Sequence, residues 1–383
     1  MTTAAAGGGA PGDIPLGVYV HWPYCARICP YCDFNVFRAR GREAEAADLV
    51  RAIVRDLEAQ RELTGPRRLV SVFFGGGTPS LMDPDRAGEI VAAARRLWSP
   101  AHDLEVSLEA NPTDAEAGRF QGFRDAGVTR LSLGLQSLDD DALRMLGRNH
   151  GAGEGRRAAE TAARVFPRLS VDLIYARPGQ TPAAWAAELR AAADLGAEHV
   201  SPYQLTIEAG TAFERAVRRG VLVPPAEEPA AELYETTQDV LAALGFDAYE
   251  VSNHARGEAA RSRHNLVYWR GWDYVGVGPG AHGRITTEAG RLATRAADRP
   301  ADYIAGGFDR ELLTPEEAAE ERLLGGLRIA EGVARSEVAA LAIPPERIAG
   351  LVALGLLADD PERLRATPRG RRVLDAVTRE LLV

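Results

Sequence analysis

The sequence predicts an α/β protein: a partial (β/α)6 barrel followed by an accessory region that ends in a small, mainly helical unit. Three observations predict it. Six short runs rich in β-branched and aromatic residues follow one another, at 16–21, 69–75, 104–110, 130–136, 169–176 and 199–207. Ala/Arg/Glu-rich stretches with helical spacing separate them, at 44–63, 85–97, 115–126, 140–146, 155–165 and 182–195. Such alternation implies βαβ units and a parallel sheet. The third observation is that the first strand leads directly into a loop holding every cysteine of the chain. Ligands of parallel α/β folds collect at the C-terminal ends of the strands, so the residues there carry most information.

The 383 residues allow two or three domains. A net charge of −9 gives no general nucleic-acid-binding surface. Every basic residue is arginine or histidine. That excludes a lysine Schiff base and a Walker-type phosphate loop. No run of 18 apolar residues exists, so a membrane-spanning helix is not expected and only peripheral membrane contact stays open. Residues 1–15 are Ala/Gly/Thr-rich without the layout of a signal peptide, and are expected to form a disordered tail. Three unpaired thiols suit a reducing cytoplasm.

Cys25, Cys29 and Cys32 form a C-x3-C-x2-C run after the first strand. Closely spaced thiolates hold iron–sulfur clusters, normally four for a [4Fe–4S] cube. Three would hold three corners and leave the fourth iron open to an outside ligand, and an open position marks a catalytic metal site. Zinc, with His21 or another residue as fourth ligand, is the alternative. Structural zinc sites usually pair C-x2-C with a second half-site, which is missing here. An odd cysteine count argues against a disulfide framework.

The second strand ends in Gly75-Gly76-Gly77-Thr78, where glycines let backbone approach a ligand and Thr78 adds a hydroxyl; taken alone it reads as a turn. The third strand ends at Glu109, a carboxylate able to accept ribose hydroxyls or to remain a solvated loop acid. The fourth ends at Gln136, with Arg148 shortly after. The fifth carries Asp172, which could instead be a core acid satisfied by a helix N-terminus. The sixth strand completes the barrel, and the domain is expected to span 16–225.

The accessory segment, 226–313, contains His264-Asn265-Leu266-Val267-Tyr268-Trp269. A histidine nitrogen is an ordinary axial ligand of heme iron, and Tyr and Trp can pack on a porphyrin. Chemistry alone favours His264 as a hydrogen-bonded core residue in an aromatic cluster, with His254 and His282 as weaker candidates for a heme ligand. The region 314–383, with amphipathic stretches at 316–327, 336–342 and 345–354, a short strand at 363–368 and a last helix at 369–382, has a winged-helix-like pattern. Its arginines are balanced by Asp359, Asp360, Glu362 and Glu380, which favours a lid or protein contact over DNA binding.

The cysteine spacing resembles that of the radical S-adenosylmethionine (SAM) superfamily. The fuller run Tyr19-Val20-His21-Trp22-Pro23-Tyr24-Cys25 is similar to the oxygen-independent coproporphyrinogen III oxidase family, particularly its heme-chaperone branch, and the likeness extends over nearly the whole chain from residue 16. The resemblance implies a TIM-like radical SAM barrel and a [4Fe–4S] cluster on the three cysteines, whose open iron chelates SAM and whose electron cleaves it to a deoxyadenosyl radical. It implies SAM contacts from Tyr19, Tyr31, Gly76, Gly77, Thr78, Glu109, Gln136, Arg148 and Asp172, and heme binding near His264. The expected function is delivery of heme to an acceptor protein. The rival is radical decarboxylation of coproporphyrinogen; the oxidases usually carry a fourth cysteine where this chain has Phe34, and a longer N-terminal extension. A third reading is a non-catalytic scaffold held by zinc or a cluster.

Overall fold

The computed structural model describes residues 13–382, less the side chains at 114 and 115. The expected disordered tail lies outside the described residues as far as residue 12, and its last residue, Pro15, is already strand.

Six parallel strands form the barrel wall: β1 (Pro15–Trp22), β2 (Arg68–Gly76), β3 (Ser99–Ala110), β4 (Arg130–Gln136), β5 (Arg168–Tyr175) and β6 (His199–Gln204). Helices cross between them, among them α1 (Glu43–Thr64), α2 (Pro84–Leu97), α3 (Ala152–Val165) and α4 (Pro182–Ala193). Local chemistry sets their starts. Asp83 caps α2 with Pro84 behind it, and Thr181 caps α4 with Pro182 behind it; a side-chain oxygen satisfies an orphan amide, and proline's missing N–H costs nothing in the first turn. Residues alternate along the strands: Val18, Val72, Val106, Leu131, Val171 and Val200 belong to the core beneath the helices, whereas Glu109, Ser132, Ser170, Asp172 and Ser201 line the barrel interior.

The accessory segment is not a separate layer. Its helix α5 (Glu227–Ala243) packs on α4, and Trp185 Nε1 donates to Thr237 Oγ1 at 2.8 Å. Six further strands then lengthen the barrel sheet at both edges: β7 (Asp247–Glu250), β8 (Asn253–Ala255), β9 (Asp273–Val277), β10 (His282–Thr287), β11 (Gly290–Ala296) and β12 (Phe308–Leu312). The twelve-stranded order is β12-β11-β10-β9-β1-β2-β3-β4-β5-β6-β8-β7. β9 joins β1 in parallel, the other five run antiparallel to their neighbours, and the barrel therefore stays open. Buried ion pairs lock this extension. Asp273 takes Arg67 Nε at 3.1 Å and Arg291 Nη1 at 2.7 Å, and its other hydrogen bonds come from Thr286.

Between β8 and β9 the chain makes helix α6 (Arg263–Trp269), capped by Ser262, which packs against β1, β2 and β9. Gly17 makes this possible: a Cβ there would meet Val267 at 3.1 Å. The C-terminal unit has its own core, Leu323, Leu327, Val333, Leu351, Leu364, Val377 and Leu381 among others. Helix α7 (Pro315–Arg328) opens it with a capping box between Thr314 and Glu317, and a two-strand ladder pairs Val333 with Leu364. The last helix expected at 369–382 is broken into Pro368–Arg371 and Leu374–Leu382.

Candidate functional site

The barrel encloses a cavity of about 620 Å³. Its wall includes the cysteine loop at one end and Arg130, Ser170 and His199, from the starts of β4, β5 and β6, at the other. It therefore runs the length of the barrel. Asn265 of α6 and its cap Ser262 line the far end, so the HNLVYW helix forms part of the floor.

Cys25, Cys29, Cys32, Tyr31, Gly76, Gly77, Thr78, Glu109, Gln136, Arg148 and Asp172 all line this one cavity, although the sequence scatters them from 25 to 172. Burial pushes the Cys25 thiol up to about 11 and raises that of Cys32, so the thiolates need compensating positive charge. Arg148 supplies some: its Nη1 donates to Cys29 Sγ at 3.4 Å, while Nη2 donates to the Gly134 carbonyl and to Asn111 Oδ1. Among the described residues no three His, Cys, Asp or Glu side chains converge tightly enough for a single metal ion. The loop is fixed from outside. Asn35 Nδ2 donates to the carbonyls of Pro279 and Asp298, and Phe213 N donates to Pro30 O at 3.0 Å.

The glycine run has a structural reason in addition to the one expected. Gly77 N donates to Trp22 O at 2.7 Å and Thr78 N to Tyr24 O at 2.9 Å. A Cβ at Gly77 would lie 2.8 Å from the backbone of residues 22–24, and one on Gly76 would strike the His21 ring at 2.5 Å. The glycines bring β2 against the strand that launches the cysteine loop, and in doing so turn Thr78 into the cavity.

Two carboxylates face each other in the wall. Burial, then the neighbouring Asp172, pushes Glu109 up to about 8, and Gly76 N–H donates to its Oε2 at 3.2 Å. Asp172, raised to about 6 by burial, accepts from Ser132 Oγ at 3.1 Å. Gln136 has φ +64°, and Ala176, just past β5, has φ +57°. Non-glycine residues in the left-handed region cost energy and collect at functional sites. Sequence patterning passes over Asn111, which links Thr78 (3.2 Å) to Arg148. Its position directly after the Glu109 strand end is the signal that could have found it.

Two expected contacts do not reach the cavity. Tyr19 lies behind the glycines, its hydroxyl 3.0 Å from His21 Nδ1. His264 is 1 % exposed, with Nδ1 2.9 Å from Ser71 Oγ and Nε2 2.8 Å from the Tyr268 hydroxyl, and its ring stacks on Phe73 at 4.8 Å. Both nitrogens are engaged and burial pushes its pKa down to about 3. In this conformation it is a satisfied core histidine, not a residue that can meet iron. His254 is likewise buried, and His282 sits at the start of β10 away from both.

Fold and site together define a barrel protein that presents three thiols and a polar, carboxylate-bearing pocket at one mouth. A model of the radical SAM superfamily matches residues 19–192, and one of the HemN C-terminal domain matches 313–373. The chain is 40 % identical to "Radical S-adenosyl methionine domain-containing protein 1, mitochondrial" of Bos taurus, over 97 % of this chain and 88 % of that one. It is 38 % identical to "Heme chaperone HemW" of Mycobacterium tuberculosis (97 % and 96 % covered) and to that of Escherichia coli (77 % of each). In fold it matches a solved coproporphyrinogen III oxidase (HemN) of Escherichia coli with a TM-score of 0.81, at 20 % identity, covering 97 % of this chain and 91 % of that one. The chain belongs to the radical SAM superfamily, within the group formed by these HemW-like relatives.

Membership implies a [4Fe–4S] cluster and SAM. The residues present fit both: three thiols on one loop with a buried guanidinium beside them, and carboxylates, amide and hydroxyl groups along the same wall.

Proposed function

We propose that this protein is a heme chaperone that holds a [4Fe–4S] cluster on Cys25, Cys29 and Cys32, binds SAM in the barrel cavity, and passes heme to an acceptor protein. The end-to-end likeness to proteins named heme chaperone HemW carries the reading. A bound cluster supplies an open iron for SAM to chelate and an electron to cleave it. The chain's own residues hold the ligand. Backbone at Gly76, Gly77 and Thr78 meets the methionyl end, Glu109 accepts the ribose hydroxyls, and Gln136, Arg148 and Asp172 complete the polar wall beside Tyr31. Heme and an acceptor protein are the partners. No described helix is long and apolar enough to cross a membrane, and the three thiols suit a reducing cytoplasm.

The oxidase reading has less support. Position 34, where the resemblance puts a further cysteine in the oxidases, holds a phenylalanine that is 61 % exposed at the cavity mouth. The test is anaerobic: heme titration of the reconstituted protein by its Soret band, beside incubation of coproporphyrinogen III with SAM and a reductant. Stoichiometric heme binding without decarboxylation is expected. Decarboxylation with release of 5′-deoxyadenosine would overturn the reading.

A further inference from the structure

A second cavity, of about 770 Å³, lies outside the barrel between β9–β11, the end of α6 and the C-terminal unit. Its size is that of a small-molecule site. One wall is aromatic. Tyr268 and Tyr274 pack edge to face at 4.6 Å, and Trp269 continues the wall with the Arg328 guanidinium 4.6 Å above its ring. The opposite wall, from the C-terminal unit, offers Leu324, Leu374 and Leu382; Leu324 is 45 % exposed.

Five arginines line the cavity, with the carboxylates Glu321 and Asp375. Four guanidiniums are held in place by acids: Arg284 by Glu321, Arg291 by Asp273, Arg322 by Glu337 and Arg328 by Glu250. Arg379 is exposed, and its guanidinium has no hydrogen bond or ion pair among the described residues. A flat apolar body between aromatic and leucine walls, with carboxylates at its edge, is the shape and charge that such a cavity complements.

We propose that this cavity, rather than the His264 imidazole, is where heme docks. The macrocycle lies against Tyr268, Trp269 and Tyr274, and a propionate turns toward Arg379 at the rim. The proposal rests on the heme-chaperone reading and assigns that ligand its place. It also gives His264 a role that its burial permits: through the 2.8 Å hydrogen bond to the Tyr268 hydroxyl it positions one aromatic wall of the site.

The test uses the full-length protein. Heme is titrated into wild type, Arg379→Glu and Leu324→Glu, following the Soret band and quenching of tryptophan fluorescence; both substituted residues are exposed, so folding is not at stake. Each variant is expected to weaken heme binding at least tenfold with SAM binding unchanged. The Arg379→Glu penalty should vanish with a porphyrin dimethyl ester, which lacks the carboxylates. Wild-type affinity in both variants, with weakening in Phe34→Glu, would move heme to the barrel mouth and overturn the assignment while leaving the chaperone reading intact. A wild-type protein that binds no heme would overturn both.

Discussion

Glu109→Gln should make the SAM-free protein more stable at high pH and poorer at its task. The carboxyl lies in the cavity wall, where burial and Asp172 raise it from 4.5 to about 8. The folded state therefore keeps a proton that the unfolded chain releases above about 4.5. Stability is highest below that value, falls as pH rises toward 8, and is level beyond it. Holding a proton one pH unit longer than the unfolded chain does corresponds to about 1.4 kcal/mol, which sets a ceiling of ~5 kcal/mol. Water in the cavity screens the charge, and about 1–3 kcal/mol is the range expected of a buried polar group. Glutamine cannot ionise and lacks this slope. In urea unfolding at pH 5 and pH 9, the variant and wild type should differ little at pH 5, with the variant ahead by about 1–3 kcal/mol at pH 9. SAM affinity should move the other way, because the amide does not offer a charged acceptor to the ribose. A stability gap that is the same at both pH values would refute the claim that this cavity suppresses the ionisation of Glu109.

Other substitutions test the remaining parts. Cys25→Ser, Cys29→Ser and Cys32→Ser should each abolish assembly of a [4Fe–4S] cluster on reconstitution, since the chain has no spare thiol; a full cluster spectrum in any one would remove that cysteine from the ligand set. His264→Ala should lower stability by about 2–4 kcal/mol, by opening a cavity and stranding the Ser71 and Tyr268 hydroxyls. Unfolding curves read it, and unchanged stability with lost heme absorbance would make it a ligand instead. Arg130 is 1 % exposed, donates to Glu105 at 2.9 Å and also holds Ser170 and the Ala260 carbonyl. Arg130→Met should cost about 3–5 kcal/mol by leaving Glu105 uncompensated, and Arg130→Met with Glu105→Leu should recover part of it; no recovery in the double variant would place the cost elsewhere.

What was legible in the sequence was whatever depends on short range. The six barrel strands and the helices between them follow from periodicity over a dozen residues, and the strand ends could be inspected because the topology puts ligands there. The accessory strands β7–β12 escaped because they are short, three to seven residues each, and several are polar. Gly290–Ala296 reads Gly-Arg-Leu-Ala-Thr-Arg-Ala, and it becomes a strand only by pairing between β10 and β12. Gly76 and Gly77 stand out in the sequence, but one reason for them does not: their demand for space comes from His21 and the backbone of 22–24, some fifty residues away in sequence. His264 marks the limit. Whether an imidazole is a free ligand or a satisfied core group depends on Ser71, 193 residues distant, and no local pattern reports that partner.

The same helix explains why the His-Asn-x-x-Tyr-Trp spacing can matter without an iron bond. On a helix, positions four apart lie one above the other, so His264 and Tyr268 hydrogen-bond directly. Asn265, one residue on, looks into the barrel cavity, whereas Tyr268 and Trp269 line the outer one. Seven residues thus form a partition, with a fully buried imidazole as the pin that sets the rotation of the helix between two cavities. Arg322 Nη1 donates to the Trp269 carbonyl at 3.0 Å and anchors the end of that partition to the C-terminal unit. A substitution at His264 would therefore be felt on both faces, at Asn265 in the barrel floor and at the aromatic wall outside, and loss of heme binding in such a variant is not by itself proof of ligation. The discriminating variants are those at the exposed rim of the outer cavity, Arg379 and Leu324, because neither side chain hydrogen-bonds to the partition.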